Sequence, residues 1–446
     1  MTSDNLIHVG EYIVIQKQNY RKLHKLNKPD SSISLGRDKV DLTGIDGCRY
    51  HSVFKIIPKG GKRCKEYSLQ LAEEAVYLKD EINVKVSGTD NRNIFDDGQS
   101  QKLTHAQIED LRTDSNRASD IVETLISNSN TFHNKTEFSQ EKYLKKKEKK
   151  YFEYIQILRP NLRMITEILY KLDPGKIQNI RIDTLSQIIT AINIQSEGVH
   201  LLYDSGSNGL LAAALLSAIG ESNSAKLIHM HPGNMSQKQA LLAMNFKEEH
   251  SRRCISVNIY SALRQFYQGC DTHETNNSEV KDVIENTNDS VTEHNTLKRK
   301  RESPEAASKV PKLDEASQEN ETDKIPNNDT EGYEPKKPKW HFDNIAAADL
   351  LKDKVDSLVI ACKEDPQNLF DELVAFVKPG RPFAIYYSVA EPLQKMYMNL
   401  KIRSNVAALK LTCCWMRNYQ ILPDRTHPEV TMNGSSGFLL TGYILK

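Results

Sequence analysis

The chain has 446 residues, more than one hydrophobic core usually organises, so we expect two folded domains together with some disordered sequence. Apolar residues make up 38% of it and the formal net charge is +1, so the overall charge indicates no class of partner. Its seven cysteines form an odd set without a C-x-x-C pair, which argues against a disulfide framework and against a zinc site. The N-terminal sequence lacks a secretory signal and no apolar run is long enough for a membrane helix, so we expect a soluble intracellular protein.

The first hundred residues are predicted to form a β-rich domain. Short β-branched or alternating runs near Glu11, Tyr50 and Glu81 are separated by turn sequences such as Asp46-Gly47. Strands of this length and spacing are typical of a small barrel or sandwich. We therefore assign residues 1–100 to an N-terminal β-barrel-like domain.

Residues 101–195 are predicted to be mainly helical. Thr104 and Gln107 resemble a capping box, and apolar residues at helical spacing follow them. Two further stretches with helical spacing end at Pro160 and at Pro174-Gly175.

Six lysines lie close together in the first of these two stretches, between Lys142 and Lys150. On a helix, Lys142, Lys145, Lys146 and Lys149 share one broad face, which suits the phosphates of a nucleic acid. A solvated helix face without a ligand is the alternative explanation of such a run.

From Gly198 onward, short apolar strands alternate with helices, and the alternation resumes after Trp340. This is the pattern of a doubly wound α/β domain, which we assign to residues 196–446. Two β-prone stretches near the C terminus are compatible with a closing hairpin. The predicted fold class is thus α/β and multidomain, with an N-terminal β-barrel-like domain, a helical linker and a C-terminal Rossmann-like domain.

An insertion interrupts the second domain at residues 268–339. From Gln268 to Gly332 it contains no Phe, Trp or Tyr and consists mainly of polar and charged residues, so we predict that it is disordered. Lys298, Arg299, Lys300 and Arg301 form a basic cluster within it. Such a cluster is a candidate signal for nuclear import, and a solvated tail is the alternative.

The segment from Asp204 to Leu210 joins a strand to a helix, where a class I methyltransferase carries its E/D-x-G-x-G-x-G loop for S-adenosylmethionine. Glycines are needed there because the backbone turns tightly and the cofactor approaches closely. Only Gly206 matches, since Asn208 and Leu210 occupy the other glycine places beside Gly209. We expect Leu210 to project towards the cofactor's amino acid end, and we predict that this chain binds no cofactor.

Two neighbouring strand ends carry further candidate side chains. The second strand ends in His229-Met230-His231, so no carboxylate stands where ribose hydroxyls would be bound. No partner at metal-ligand spacing accompanies these histidines, which we interpret as sheet-edge residues. Glu364, Asp365 and Pro366 follow a later strand, either as the relic of a substrate-orienting site or as a helix N-cap.

Three stretches resemble the non-catalytic subunit of the eukaryotic two-subunit tRNA (adenine-N1)-methyltransferase: Asn91 to Arg112, Lys135 to Tyr151, and Arg417 to Ile444 with its LPDRTHP core. The resemblance covers nearly the whole chain except the insertion. It implies the two-domain organisation predicted above from the residues themselves.

The resemblance also implies a function without catalysis. The chain would pair with a catalytic paralogue that holds S-adenosylmethionine, assemble into a heterotetramer in the nucleus, and help to bind tRNA for 1-methyladenosine formation in the T-loop. The implied RNA-contact candidates are Lys142, Lys145, Lys146, Lys147, Lys149, Lys150, Arg417, Arg425, Thr426 and His427. A capped turn before Pro428 is the structural alternative for residues 425–427.

Two other functions stay open at this point. One is an active methyltransferase in which Asp204 and Gly206 suffice for cofactor binding. The other is a nuclear RNA-processing scaffold that binds RNA without a methyltransferase partner.

Overall fold

The computed structural model describes residues 5–36, 38–59, 66–73, 87–88, 100–114, 118–151, 154–221, 224–269, 338–421 and 426–445. The predicted strand near Glu81, the predicted insertion apart from its two ends, and the basic cluster at 298–301 lie outside these residues. None of the described helices is both long enough and apolar enough to cross a membrane.

The N-terminal unit is a seven-stranded sheet with the order β2-β1-β7-β5-β6-β4-β3. Its strands are β1 (Tyr12–Lys17), β2 (Tyr20–Lys25), β3 (Ser32–Leu35), β4 (Asp38–Asp41), β5 (Val53–Pro58), β6 (Glu66–Ala72) and β7 (Tyr154–Leu158). Buried residues alternate with exposed ones along β3, as expected for a strand with one face on a core. The strands predicted near Glu11 and Tyr50 are confirmed as β1 and β5, while closure of the sheet into a barrel stays a prediction.

Strand β7 corrects the helix predicted up to Pro160. It pairs with β1 through Val14 and Leu158 and with β5 through Phe54 and Ile155, so it lies in the middle of the N-terminal sheet. Ile155 and Ile157 both point into the core of this sheet. Apolar residues alternate over only five positions in this strand, and the longer helical pattern before it led to the prediction of a continuous helix. The N-terminal sheet therefore takes a strand from beyond the first hundred residues.

Three helices separate β6 from β7 among the described residues: α1 (His105–Asp114), α2 (Ala118–Ser127) and α3 (Glu137–Tyr151). The predicted capping box is confirmed, because the Thr104 amide donates to Gln107 Oε1 at 2.9 Å and the Gln107 amide donates to Thr104 Oγ1 at 3.4 Å. Helices α2 and α3 pack around the buried side chains of Phe132 and Leu144, which form a small core of their own.

The C-terminal unit is a second seven-stranded sheet with the order β10-β9-β8-β11-β12-β16-β13. Its strands are β8 (Val199–Asp204), β9 (Lys226–His231), β10 (Cys254–Asn258), β11 (Ser357–Ala361), β12 (Pro382–Tyr387), β13 (Val406–Trp415) and β16 (Ser435–Ile444). The first five in this order are parallel, whereas β16 is antiparallel to both of its neighbours. The predicted doubly wound domain and its closing hairpin are confirmed.

Helices cover both faces of this sheet because successive strand residues point to opposite sides. Leu202 faces the core beneath one helical layer and Leu201 faces the core beneath the other. One layer contains α4 (Leu162–Leu172), α5 (Ile182–Ile192), α6 (Leu210–Ile219), α7 (Gln239–Ala243) and α8 (Glu248–Ser251). The other contains α9 (Ile259–Gln268), α10 (Lys339–Lys352), α11 (Pro366–Leu373) and α12 (Ala390–Lys401).

The two units are joined by direct contacts. The Tyr12 amide donates to Asn245 Oδ1 at 2.8 Å, and Asn245 Nδ2 donates to the Tyr12 carbonyl at 2.7 Å. An ion pair of 3.2 Å links Arg21 of β2 to Glu167 of α4. The Asn245 side chain thus forms the two hydrogen bonds with the Tyr12 backbone that a neighbouring strand would form at the start of β1. The boundaries predicted at residues 100 and 195 are not tested by these contacts and stay predictions.

Candidate functional site

The predicted cofactor loop lies at the carboxyl end of β8, between β8 and α6. This is a topological switch point of the sheet, since β9 lies on one side of β8 and β11 on the other. Asn208 and Gly209 both have left-handed backbone conformations, with φ of 58° and 76°. A Cβ at Gly209 would lie 2.8 Å from the Gln237 carbonyl oxygen, so this glycine is required by the turn itself.

Asp204 uses its carboxylate within the loop. Its Oδ1 accepts from the amides of Gly206 at 3.0 Å and Ser207 at 2.7 Å, and its Oδ2 accepts from the Ser207 hydroxyl. Both Asp204 and Ser207 are buried. The carboxylate is therefore committed to holding the start of α6.

Two further amides of the loop also have partners within the chain. The Ser205 amide donates to the Ala361 carbonyl at 3.1 Å, and the Asn208 amide donates to Gln237 Oε1 at 3.2 Å. The Asn208 side chain donates to Gln239 Oε1 at 2.7 Å. These bonds tie the loop to the segment that follows β9. A ligand would have to break them in order to use the same groups.

Leu210 does not project towards a cofactor, so that prediction was wrong. Its side chain is fully buried in the core under α6, because the first turn of the helix packs directly onto the sheet. The side chain that lies across the loop is instead Lys363, from the end of β11. A Cβ at Gly206 would be 2.9 Å from Lys363 Cε and 3.0 Å from its Nζ.

His229 and His231 occupy the carboxyl end of β9, as predicted, but they are not at an edge of the sheet. Strand β9 lies between β10 and β8, and both side chains are buried. Burial lowers the pKa of His229 to about 4, against the smaller opposing effect of Asp204, whose Oδ2 is 4.0 Å from His229 Nε2. Burial also lowers the pKa of His231. Both rings are therefore neutral at pH 7.

Asp365 caps a helix. Its side chain accepts from the Gln367 amide at 3.1 Å, and Pro366 lies in the first turn of α11. This geometry supports the N-cap interpretation of the acidic segment. The described residues contain no group of three or more His, Cys, Asp or Glu side chains that could hold a metal ion.

Helix α3 presents part of its lysine run to solvent. Lys142, Lys145 and Lys146 are exposed, whereas Leu144 is buried beneath them. Lys145 pairs with Glu141 at 3.0 Å, and Lys147 Nζ lies 5.0 Å from the centre of the Tyr143 ring. The side chains of Lys149 and Lys150 lie outside the description. Lys142 and Lys146 are thus the exposed lysines for which no ion pair is seen within the described part of the helix.

The second group of predicted RNA contacts lies on a projection that we call the arm, the described residues 416–421 and 426–434 between β13 and β16. Two short strands, β14 (Tyr419–Gln420) and β15 (His427–Pro428), pair antiparallel within it. Thr426 and His427 are exposed, and Arg417 Nη1 donates to the Met432 carbonyl at 3.4 Å. Arg425 lies outside the described residues. The arm also exposes Tyr419, Ile421 and Val430.

Sequence reasoning missed Arg181, which lies between α4 and α5 beneath the arm. Its guanidinium bonds to Asp183 and to two carbonyls of residues 433 and 434. The spacing Arg-x-Asp at a helix start is a usable signal of a local ion pair. The contact with the arm has no sequence signal, because the partners are backbone carbonyls about 250 residues away.

Comparisons with known proteins give one family. The profile of the Gcd10p family matches residues 6–323. The chain is 33% identical to the tRNA (adenine(58)-N(1))-methyltransferase non-catalytic subunit TRM6 of Mus musculus, over 99% of this chain and 88% of the relative. It is 28% identical to the corresponding subunit of Dictyostelium discoideum, over 99% of this chain and 80% of the relative.

Among solved structures, the chain is similar to the tRNA (m1A58) methyltransferase TrmI of Aquifex aeolicus, with a TM-score of 0.42 and 12% identity. That match covers 99% of this chain and 100% of the other. A SAM-dependent O-methyltransferase of Thermotoga maritima has a TM-score of 0.46 and 12% identity, over 100% of this chain and 97% of the other.

Proposed function

Because this chain belongs to the Gcd10p family, we propose that it is the non-catalytic subunit of the tRNA (adenine-N1)-methyltransferase that forms 1-methyladenosine in the tRNA T-loop. The observation that carries the proposal is the match of the whole chain to relatives named as this subunit. The loop after β8 agrees with it, because its carboxylate and most of its amides are already bonded within the chain.

The residues present do not fit S-adenosylmethionine. The end of β9 offers neutral histidines rather than a carboxylate for ribose hydroxyls, and Lys363 lies across Gly206. We therefore assign no cofactor to this chain. The cofactor belongs in a catalytic paralogue, and the two chains together form a heterodimer that assembles further into a heterotetramer.

The role of this chain is to help bind tRNA. Adenine N1 is reached only when the base leaves its stack, so the folded tRNA has to be held at several separate points. Lys142 and Lys146 on α3 offer positive charge to phosphates, and Lys145, Lys147, Lys149 and Lys150 extend the same helix. Arg417, Arg425, Thr426 and His427 supply a second contact region on the arm.

The nuclear setting is part of the proposal. Lys298, Arg299, Lys300 and Arg301 form the candidate import signal. Replacement of all four by alanine in a fluorescently labelled chain is expected to move the protein to the cytoplasm. Unchanged nuclear accumulation of this variant would remove the cluster from the proposal.

The decisive experiment measures methyl transfer from labelled S-adenosylmethionine to unmodified tRNA. It compares this chain alone, the catalytic paralogue alone and the co-expressed pair. We expect activity only in the pair. Activity of this chain alone would make it a methyltransferase in its own right. RNA binding without a paralogue recovered from cells would make it a scaffold.

A further inference from the structure

The arm leaves the C-terminal sheet at Met416 and Gly434, which we call its root. We propose that Arg181 is a positioning residue for tRNA methylation, because it fixes the direction in which the arm projects and thus the place where the arm meets RNA. This inference rests on the proposed function, in which the arm contacts RNA.

The guanidinium of Arg181 forms four hydrogen bonds. Its Nε and Nη2 donate to the two carboxylate oxygens of Asp183 at 2.6 and 2.9 Å, which fixes the plane of the group. Its Nη1 then donates to the Asn433 carbonyl at 3.1 Å, and Nη2 donates to the Gly434 carbonyl at 3.2 Å. Only 6% of the side chain is exposed, so water competes little for these bonds.

Both legs of the arm are held at this point. The Gly434 carbonyl also accepts from the Met416 amide at 3.0 Å, so Arg181 bonds directly to one leg, at residues 433 and 434, and that leg is bonded to the other. A Cβ at Gly434 would lie 2.7 Å from Trp415 Nε1, so the two legs are in close contact. The root therefore has little room to tilt while the guanidinium is in place.

A second set of bonds joins the same two segments. Ser436 Oγ accepts from the Arg181 amide at 3.1 Å and from Thr184 Oγ1 at 2.7 Å, and it donates to the Asn179 carbonyl at 2.8 Å. Tyr386 donates its hydroxyl to the Gln178 carbonyl at 2.7 Å. The residues from 178 to 184 are thus a rigid base for the start of β16, and the guanidinium is the part of this base that reaches beyond the sheet to the arm.

A small rotation at the root produces a large displacement at the far end of the arm. The seven steps from Gly434 to His427 span at most roughly 23 Å at about 3.3 Å per residue. A tilt of about 10° at the root would then move the far end of the arm by at most about 4 Å, which is more than the length of a hydrogen bond. The sheet pairs from Val406 to Trp415 do not prevent such a tilt, because they end at the root.

The test uses the co-expressed two-subunit complex and the KM for tRNA. Arg181→Met removes the guanidinium while keeping an apolar side chain of similar length. Arg181→Lys keeps the positive charge but lacks the planar set of N–H donors. A tip variant carries Thr426→Ala and His427→Ala together. Arg252→Met is the matched control, since Arg252 forms an exposed ion pair with Glu248 on α8.

We expect Arg181→Met to raise the KM for tRNA about tenfold, with kcat changed less than about twofold, because misplacement by ångströms costs this much or more. Arg181→Lys is expected to share most of this rise, because the single ammonium nitrogen cannot take the separate positions of Nε, Nη1 and Nη2. In the tip variant, Arg181→Met should add less than about twofold, since both changes act through the same contact. The control should leave KM unchanged.

Three results would overturn the inference, and they differ in what they reject. An equal rise in KM with and without the tip changes means that Arg181 acts elsewhere. A lower melting temperature or yield of complex with unchanged KM means that Arg181 serves only the fold. An unchanged KM in the tip variant alone removes the arm from the proposed function, whereas the mixing experiment above still decides the function of the whole chain.

Discussion

The Asp204 carboxylate holds the loop after β8 together, so replacing Asp204 by alanine should destabilise the C-terminal unit. The change leaves two buried amides and one buried hydroxyl without their acceptor. Hydrogen bonds to a charged group contribute about 1.5–3 kcal/mol each. The Ser207 hydroxyl can turn to another acceptor and a buried charge is removed, so we expect a net loss of about 3–5 kcal/mol.

The assay is thermal unfolding of the full chain, followed by circular dichroism. At about 2–4 °C per kcal/mol for a domain of this size, Asp204→Ala should lower the melting temperature of the C-terminal unit by about 6–20 °C. Asp349→Ala is the control, because Asp349 forms an exposed pair with Lys352 that contributes little. Saturating S-adenosylmethionine should leave the melting temperature of the unaltered chain unchanged.

Two outcomes would refute this reasoning. A loss of less than about 1 kcal/mol would mean that the carboxylate is not essential to the loop. A rise in the melting temperature of the unaltered chain with S-adenosylmethionine would mean that the loop still accepts the cofactor.

Three further predictions concern the lysine helix, a buried histidine and the contact between the units. Glutamine at both Lys142 and Lys146 should weaken tRNA binding and lower the slope of log affinity against log salt by about 1 to 2, measured by filter binding. Burial holds the pKa of His229 at about 4, below its unfolded value, so stability should fall by up to about 3 kcal/mol as the pH drops from about 6.5 towards 4. His229→Gln should flatten this fall in denaturant titrations across that range. Asn245→Ala should remove the protection of the Tyr12 amide from hydrogen exchange.

Each of these has its own control and contrary result. Lys226 lies at the opposite end of β9 from the loop, and its replacement by glutamine should leave tRNA binding unaltered. An unchanged salt slope in the lysine variant would exclude α3 from phosphate contact. The same pH profile with and without His229 would place the titrating group elsewhere. A Tyr12 amide that stays protected in Asn245→Ala would mean that the two units are held together without this bond.

Much of the fold was predictable because its signals are local. Alternating or continuous apolar runs marked β1, β5 and four of the parallel strands, β8, β9, β11 and β12, and the Thr104 capping box marked the start of α1. The strand β7 was not predictable in the same way. Its five residues follow a helix without a strong turn signal, and the partners that make it a strand lie 99 to 144 residues earlier.

The candidate site was predictable in its position and less so in its detail. The strand-to-helix segment at Asp204 and the histidines at the end of β9 were placed correctly from the order of elements. The direction of Leu210 was wrong because side-chain direction depends on how α6 packs against the sheet. The N-cap role of Asp365 was one of two interpretations, and the hydrogen bond that its carboxylate accepts from the Gln367 amide in the structure favours it.

The sequence by itself determined the doubly wound pattern of the C-terminal part, the missing glycines of the loop and the lysine run, since each of these features depends on neighbouring residues. Only the tertiary structure decided where the Asp204 oxygens point, that Lys363 lies across Gly206, and that Arg181 holds the root of the arm. These contacts join residues as far as 253 positions apart, and those of Arg181 with the arm end on backbone carbonyls. Every residue has a backbone carbonyl, so no pattern of side chains predicts which carbonyl will accept a given hydrogen bond.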